Sequence, residues 1–395
     1  MTNNPVRPFG FARDEFSLDR TWTFLNHGSF GAVPRGIRTA QDRWRDELEA
    51  QPVAFLARRY WSEVDRARQA VAPFLGARPA DTVFVHNATA GVQAVVGSLE
   101  LEAGDQLVTT SHRYDAVHRC LTHAADKVGA QVVEVDPGHC PTETSFADAI
   151  LAVVTPRTRL CVVDAITSPT ALVLPIQETV RRLREGGVPV LVDGAHAAGQ
   201  IDVDLGILGA DYWVGNLHKW MCSPRGCAVL VARADHHDSL RPAITSHGHK
   251  LGLHMEFDWP GTFDPSPWLT APAAIQQHLD WGGPLLRQAH RRLVSHYRQR
   301  LHETLGLPEP VPPGQLWSGS MAAVPIGLPT AARFEAQAWL AERRIEVPMV
   351  PFEGQIWVRV SAFAAYNTEA DIEPLIDVLP ELQAAFPRTY RSQGC

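Results

Sequence analysis

With 395 residues, 45% of them hydrophobic and 20% charged, the chain exceeds the size at which a single core stops growing, so a large domain and a smaller one are expected. The 36 Lys+Arg set against 43 Asp+Glu leave a net charge of −7 without any basic run, which excludes an electrostatic grip on nucleic acid. No apolar run approaches bilayer length, and the start from Met1 to Asp14 lacks a basic stretch followed by an apolar one, so neither membrane insertion nor export is expected.

Residues 1–20 are polar and carry Pro5 and Pro8, the marks of an extended arm, one able to cross to another subunit; a short apolar segment follows at Trp22 to Leu25. From Pro34 to Leu75 the pattern is helical, with Trp44, Leu48, Phe55, Val64 and Val71 among many charges and a break at Pro52. Apolar runs at Thr82 to His86, Gln106 to Thr110, Gln131 to Val135, Leu160 to Ile166 and Val188 to Asp193 then alternate with helical stretches. This is the pattern of a doubly wound, mainly parallel α/β sheet. Two further runs, Asp211 to Val214 and Cys227 to Val231, lack a long helix between them and are expected as strands joined by a functional loop. After Gly282-Gly283-Pro284, a helix over Leu285 to Leu305 and strands at Ala322 to Ile326, Arg344 to Val350 and Gln355 to Ser361 predict a small C-terminal α+β domain. Leu307 to Pro313 is a Pro-rich linker. The expected division is an N-terminal arm and loop over 1–35, a large domain over 36–283 and a small one over 284–395. Six cysteines, Cys120, Cys140, Cys161, Cys222, Cys227 and Cys395, form no CxxC pair; they read as reduced thiols in a cytoplasmic protein, and no metal site is expected.

The run Val190-Leu191-Val192-Asp193-Gly194-Ala195-His196 is an apolar strand ending in a carboxylate at the edge where open α/β sheets bind ligands. Twenty-six positions after Asp193, Lys219 follows another strand in Gly215-Asn216-Leu217-His218-Lys219-Trp220. Alone, the aspartate reads as a turn residue and the lysine as a solvated one. Upstream, His86-Asn87-Ala88-Thr89-Ala90-Gly91 opens a helix from a strand end, a setting that attracts phosphate as readily as it accommodates an ordinary helix cap. Together the three segments match the needs of pyridoxal 5'-phosphate (PLP): an aspartate to keep the pyridine nitrogen protonated, a lysine to form a Schiff base with the aldehyde, and amides for the phosphate. Once an amino acid displaces it, Lys219 is placed to act as general base at Cα.

These segments, with Phe24-Leu25-Asn26-His27-Gly28-Ser29-Phe30-Gly31, Asp164 to Pro175, Trp259-Pro260-Gly261-Thr262, Val358-Arg359-Val360-Ser361 and Tyr366-Asn367, span nearly the whole chain. They resemble the class V aminotransferase-type PLP enzymes of the aspartate-aminotransferase-like fold (fold type I), within them the isopenicillin N epimerase-like group that also contains cysteine-conjugate C-S lyases. The resemblance implies that Ala88 and Thr89 hold the phosphate with Asn216 and His218 close by, that Tyr114 stacks on the ring, that Asp193 meets the ring nitrogen and that His196 and Ser168 lie near the ring oxygen. It implies that Thr262 reaches the phosphate of a neighbouring subunit, hence a homodimer with a shared site. Arg359 would receive the substrate carboxylate through its planar fork, and Asn26 and His27 would lie on the substrate side. His112 is an alternative stacking residue. Two departures bear on substrate choice: Ala165 stands where relatives often carry histidine, and Phe263 where many carry arginine.

The implied activity is chemistry at Cα of an amino acid. A persulfide-forming desulfurase is not expected, because Ala228 to Gly394 holds no cysteine. C-S cleavage by β-elimination from an S-substituted cysteine or its sulfoxide is the preferred reading. The alternatives are epimerisation, with Tyr114 or His27 supplying the second proton, oxidative decarboxylation and deamination as in lincosamide-type pathways, and transamination. A PLP-fold binding or regulatory protein is the non-enzyme alternative, and the intact set of Lys219, Asp193 and Arg359 argues against it.

Overall fold

The computed structural model describes residues 7–308 and 319–386. Most of the Pro-rich linker, Cys395 and the first six residues of the arm lie outside them.

The arm folds back onto its own chain. The amides of Gly10 and Ala12 donate to the carbonyls of Ala364 and Ala365 at 2.9 Å each, and Ala12 and Phe16 are sunk in the core built by the C-terminal part. Strand β1 (Thr23–Phe24) then pairs in parallel with β10 (Ile345–Glu346), which ties the beginning of the chain to its end. The expected helical stretch is broken where predicted: one helix spans Arg35–Ala50, Gln51 is extended at φ −157° because a residue before proline is pushed out of the helical region, and a second helix runs Tyr60–Phe74.

The large sheet contains β2 (Thr82–Val85), β3 (Gln106–Thr110), β4 (Gln131–Val135), β5 (Thr158–Asp164), β6 (Val190–Asp193), β7 (Tyr212–Asn216) and β8 (Ala228–Ala232), in the order β2-β8-β7-β6-β5-β3-β4. All neighbours are parallel except β8, which is antiparallel to both β2 and β7. The short β7-to-β8 connection, predicted from the missing helix, permits this reversal. Both faces of the sheet are covered. Leu160, Val162 and Leu191 pack on one side, and Cys161, Val163, Val190 and Val192 on the other, so the central strands read as unbroken apolar runs rather than alternating ones. Each fully buried Val or Leu contributes about 1.5–3 kcal/mol.

A third core joins the arm to the helix Pro284–Leu305 and to a three-stranded antiparallel sheet, β11 (Met349–Phe352), β12 (Gln355–Ser361) and β9 (Met321–Pro329), in that order. The strand expected over Arg344 to Val350 is two strands, β10 and β11, because Val347-Pro348 interrupts the ladder between them.

Gly31 shows how tightly the N-terminal loop seats on the rest. Its φ of +67° and ψ of 168° belong to a region open only to glycine, and a Cβ there would lie 2.2 Å from the His218 carbonyl oxygen. Gly31→Ala is expected to lower stability by about 2–4 kcal/mol through strain and overlap combined, read as a shifted denaturation midpoint, and to disturb the adjacent Lys219 segment.

Candidate active site

The C-terminal ends of β5, β6 and β7 place Asp164, Asp193 and Asn216 at one edge. By strand alternation these three share the face that carries Val162, Leu191 and Val214. Asn216 Oδ1 accepts from the Ala88 amide at 2.9 Å, which fixes the helix Ala88–Gly97 over this edge, while Asn87 caps that helix through the Ala90 amide. Ala88 is buried and Thr89 exposed, so the helix start presents the amide and hydroxyl of Thr89, the Ala88 and Ala90 amides being taken by Asn216 and Asn87. Phe263 packs 5.8 Å from the His86 ring and 4.8 Å from Trp268, next to this phosphate-type loop.

Lys219 lies in the turn after β7. Its Nζ is 3.1 Å from His196 Nε2, and burial, together with the nearby Arg359 charge, pulls its pKa down to about 7. Burial also holds His196 neutral. Trp220 Nε1 donates to His196 Nδ1 at 3.4 Å, which puts the ring proton on Nε2, facing the lysine. The amine therefore loses its proton near neutral pH instead of above pH 10. His218 Nδ1 donates to the Cys227 carbonyl at 2.9 Å.

Arg359, on β12, closes the crevice from the small sheet. It is 4% exposed; Nη1 donates to the Ser168 carbonyl at 2.6 Å and to Ser168 Oγ at 2.9 Å, and Nη2 donates to Ser29 Oγ at 3.2 Å. Nε has no partner, and no carboxylate among the described residues pairs with this guanidinium. Burial lowers its pKa to about 10. A buried cation with an unused donor is suited to pairing with an anionic group.

Several expectations shift. Ser168, expected at the cofactor, is committed to Arg359 through both its carbonyl and its hydroxyl. Ser29, within the Asn26 to Gly31 segment but with no sequence signal of its own, is the N-terminal loop's contact with Arg359. His27 is wholly buried, with its ring 4.8 Å from Phe363, 4.9 Å from Phe24 and 5.6 Å from Tyr366 and neither nitrogen hydrogen-bonded. It is thus a core residue and does not open onto the substrate side. Tyr366 is equally buried, beneath Arg13 at 4.9 Å. Asn26 is held by Glu346, Nδ2 to Oε1 at 2.8 Å. Ala165 faces the opposite core from Asp164, so its departure from histidine does not line the crevice. Of the two stacking candidates, His112 is fully enclosed, bonded to Thr170 Oγ1 at 2.7 Å with Phe352 at 4.8 Å. Tyr114 is 46% exposed and close enough to Arg359 to support its charge. Thr262 is exposed, beside a cavity of about 470 Å³ lined by Val53, Leu56, Trp61, Met255 and Trp259.

Burial holds the His27 pKa at about 3 against 6.5 for a free ring. Between these values the unfolded chain binds a proton that the folded chain refuses, so this residue's contribution falls as pH drops from 6.5 towards 3. His27→Phe is expected to flatten that part of the stability-pH curve in urea titrations.

A family model described as aminotransferase class-V matches residues 49–262. The chain belongs to that family. It is 34% identical to the isopenicillin N epimerase of Amycolatopsis lactamdurans, over 94% of this chain and 98% of the relative. It is 29% identical to an L-cysteine desulfhydrase of Arabidopsis thaliana, over 64% of this chain and 59% of that one. In fold it is similar to the crystal structure of C-DES with glycine covalently linked to the PLP cofactor, at a TM-score of 0.77 and 21% identity over 95% and 99% of the two chains. The protein is a class V aminotransferase-family enzyme with PLP as cofactor, and the site fits that group: a buried amine with a lowered pKa, a strand-end carboxylate, and a helix start presenting the amide and hydroxyl of Thr89. Among the described residues no helix is long and apolar enough to cross a membrane, and no cluster of His, Cys, Asp or Glu could hold a metal ion.

Proposed function

We propose that this enzyme is a C-S lyase acting by β-elimination on an S-substituted L-cysteine or its sulfoxide. When bound, PLP supplies the electron-withdrawing ring that weakens bonds at Cα of an amine condensed with its aldehyde. In this reading Lys219 anchors the group, Asp193 faces its ring nitrogen, His196 its ring oxygen, and Ala88 and Thr89 its phosphate with Asn216 and His218 beside them, while Tyr114 covers the ring. Arg359, carried by Ser168 and Ser29, takes the substrate carboxylate as a bidentate pair. Asn26, tied to Glu346, shapes the wall beside it. Lys219 receives the Cα proton, the Cβ–S bond breaks with its electron pair going to sulfur, and the remaining three-carbon enamine hydrolyses to pyruvate and ammonia.

The observation that carries elimination over epimerisation is the sealing of His27. Inversion needs a proton donor on the face opposite Lys219, and the loop histidine expected to serve is enclosed in the aromatic core. Tyr114, exposed at the crevice, is what keeps epimerisation as the second reading, together with the identity to an isopenicillin N epimerase. Transfer of sulfur through a protein persulfide is not favoured: Cys120, Cys161, Cys222 and Cys227 are free but buried, and burial pushes the Cys120 thiol up to about 11 and Cys161 and Cys227 to about 12, far from a nucleophilic thiolate.

A homodimer is part of the proposal. The apolar cavity beside the exposed Thr262, with Val53 65% exposed, suits a second copy that brings this threonine to the neighbouring phosphate. The division into 1–35, 36–283 and 284–395 is supported by the core that joins Ala12, Phe16 and Leu25 to the C-terminal helix and sheet. A cytoplasmic location is supported by the free thiols.

The test is product analysis after PLP-loaded protein meets a panel of L-amino acids and S-substituted cysteines in deuterated water. Pyruvate with released thiol or sulfenate is expected. Recovered substrate with Cα deuterium and inverted configuration would replace elimination by epimerisation, and loss of carbon dioxide would overturn both.

A further inference from the structure

Asp164 has no role in the reading above, yet its carboxyl is almost wholly buried. It ends β5 where Asp193 ends β6, and the two are register partners in the parallel ladder. Adjacent strands lie about 4.8 Å apart, and residues in register point to the same face, so the two carboxyl groups stand side by side. Each residue is 3% exposed. Asp193 Oδ1 accepts the Ala195 amide at 2.9 Å; the Asp164 carboxyl has no hydrogen bond from any other described residue. The cations facing the pair act only through space: Arg113 is engaged by Glu134 at 2.7 Å, and Lys219 is turned to His196. Two adjacent carboxylates so poorly compensated do not both ionise. Burial, and then the charge of Asp193, push Asp164 well above the carboxylate range; burial raises Asp193 as well, but the Ala195 amide and the attraction of Lys219 oppose that rise.

We propose that Asp164 is a positioning residue: a neutral carboxylic acid whose hydroxyl donates to the Asp193 carboxylate, fixing its orientation and moderating its hold on the ring nitrogen of the cofactor. The proposal rests on the PLP reading of the site. The Asp164 proton stays in place through turnover. Its hydrogen bond draws charge away from Asp193, so Asp164 sets how strongly the ring nitrogen retains its own proton, and through that the strength of the electron sink.

Two measurements test this. In the apoprotein at neutral pH, infrared difference spectra of wild type and Asp164→Asn are expected to show loss of a protonated carboxylic acid carbonyl band that shifts on deuteration; no such loss overturns the proposal. In the loaded enzyme, Asp164→Asn keeps a donor and is expected to retain the wild-type pH titration of cofactor absorbance. Asp164→Leu, similar in size but without a donor, is expected to move that titration by about one unit or more. Equal titrations for the leucine variant and wild type, or a titration displaced as far by asparagine as by leucine, would also overturn it. Failure of wild type to bind PLP would instead remove the cofactor reading, leaving the infrared result to decide the state of Asp164.

Discussion

Replacing Lys219 by alanine is expected to leave a folded protein that still takes up PLP through its phosphate contacts but holds it without a covalent link. Borohydride reduction followed by peptide mapping should place the cofactor on Lys219 in wild type and nowhere in the variant. Turnover should fall by about 10³-fold or more, because the same amine is proposed as the general base, a role typically contributing about 10²- to 10⁴-fold. A variant with wild-type turnover would remove Lys219 from the chemistry. The residue also has a measurable cost. Its pKa is about 7 in the fold against 10.5 when free, so between those values the unfolded chain binds a proton that the folded chain has released, and apoprotein stability rises with pH across that window. The penalty is complete below about pH 7 and vanishes above 10.5. Lys219→Met, which keeps the length and loses the charge, is therefore expected to stabilise the apoprotein at neutral pH, with the gain fading as pH approaches 10.5. Paired denaturant titrations at several pH values check this.

Arg359→Met carries the second large effect, with opposite signs for binding and folding. Loss of the buried guanidinium proposed to pair with the substrate carboxylate is expected to cost about 3–5 kcal/mol, on the order of 10²- to 10⁴-fold in kcat/KM. Arg359→Lys should recover little of it, since a point charge does not reproduce the planar fork carried by Ser168 and Ser29. The apoprotein, freed of an enclosed cation with no carboxylate partner, should gain stability. The carboxylate assignment is isolated by pairing each variant with the substrate and its carboxamide. Wild type should discriminate strongly between them and Arg359→Met hardly at all; equal discrimination by both proteins would place the carboxylate elsewhere.

The sheet and the cofactor were legible in the chain because their determinants are local. Runs such as Gln106 to Thr110, Gln131 to Val135 and Gln355 to Ser361 are apolar and β-branched enough to define strands, and their observed limits coincide with the expected ones. The strand-end Asp193, the turn carrying Lys219 and the helix start at Ala88 are each set by a few consecutive residues at the edge where such sheets bind ligands. What the tertiary structure decided was which way side chains face once distant segments meet. Nothing in Asn26-His27-Gly28-Ser29 tells that histidine enters an aromatic core while the serine two positions later reaches Arg359; that follows from packing against Phe363 and Ser361, more than 330 residues away in sequence. Nor does Asp164 look unusual alone, since its ionisation depends on the carboxylate that the ladder sets beside it. Strand order and burial are long-range properties, and the chemistry of a charged group in this protein changes with both.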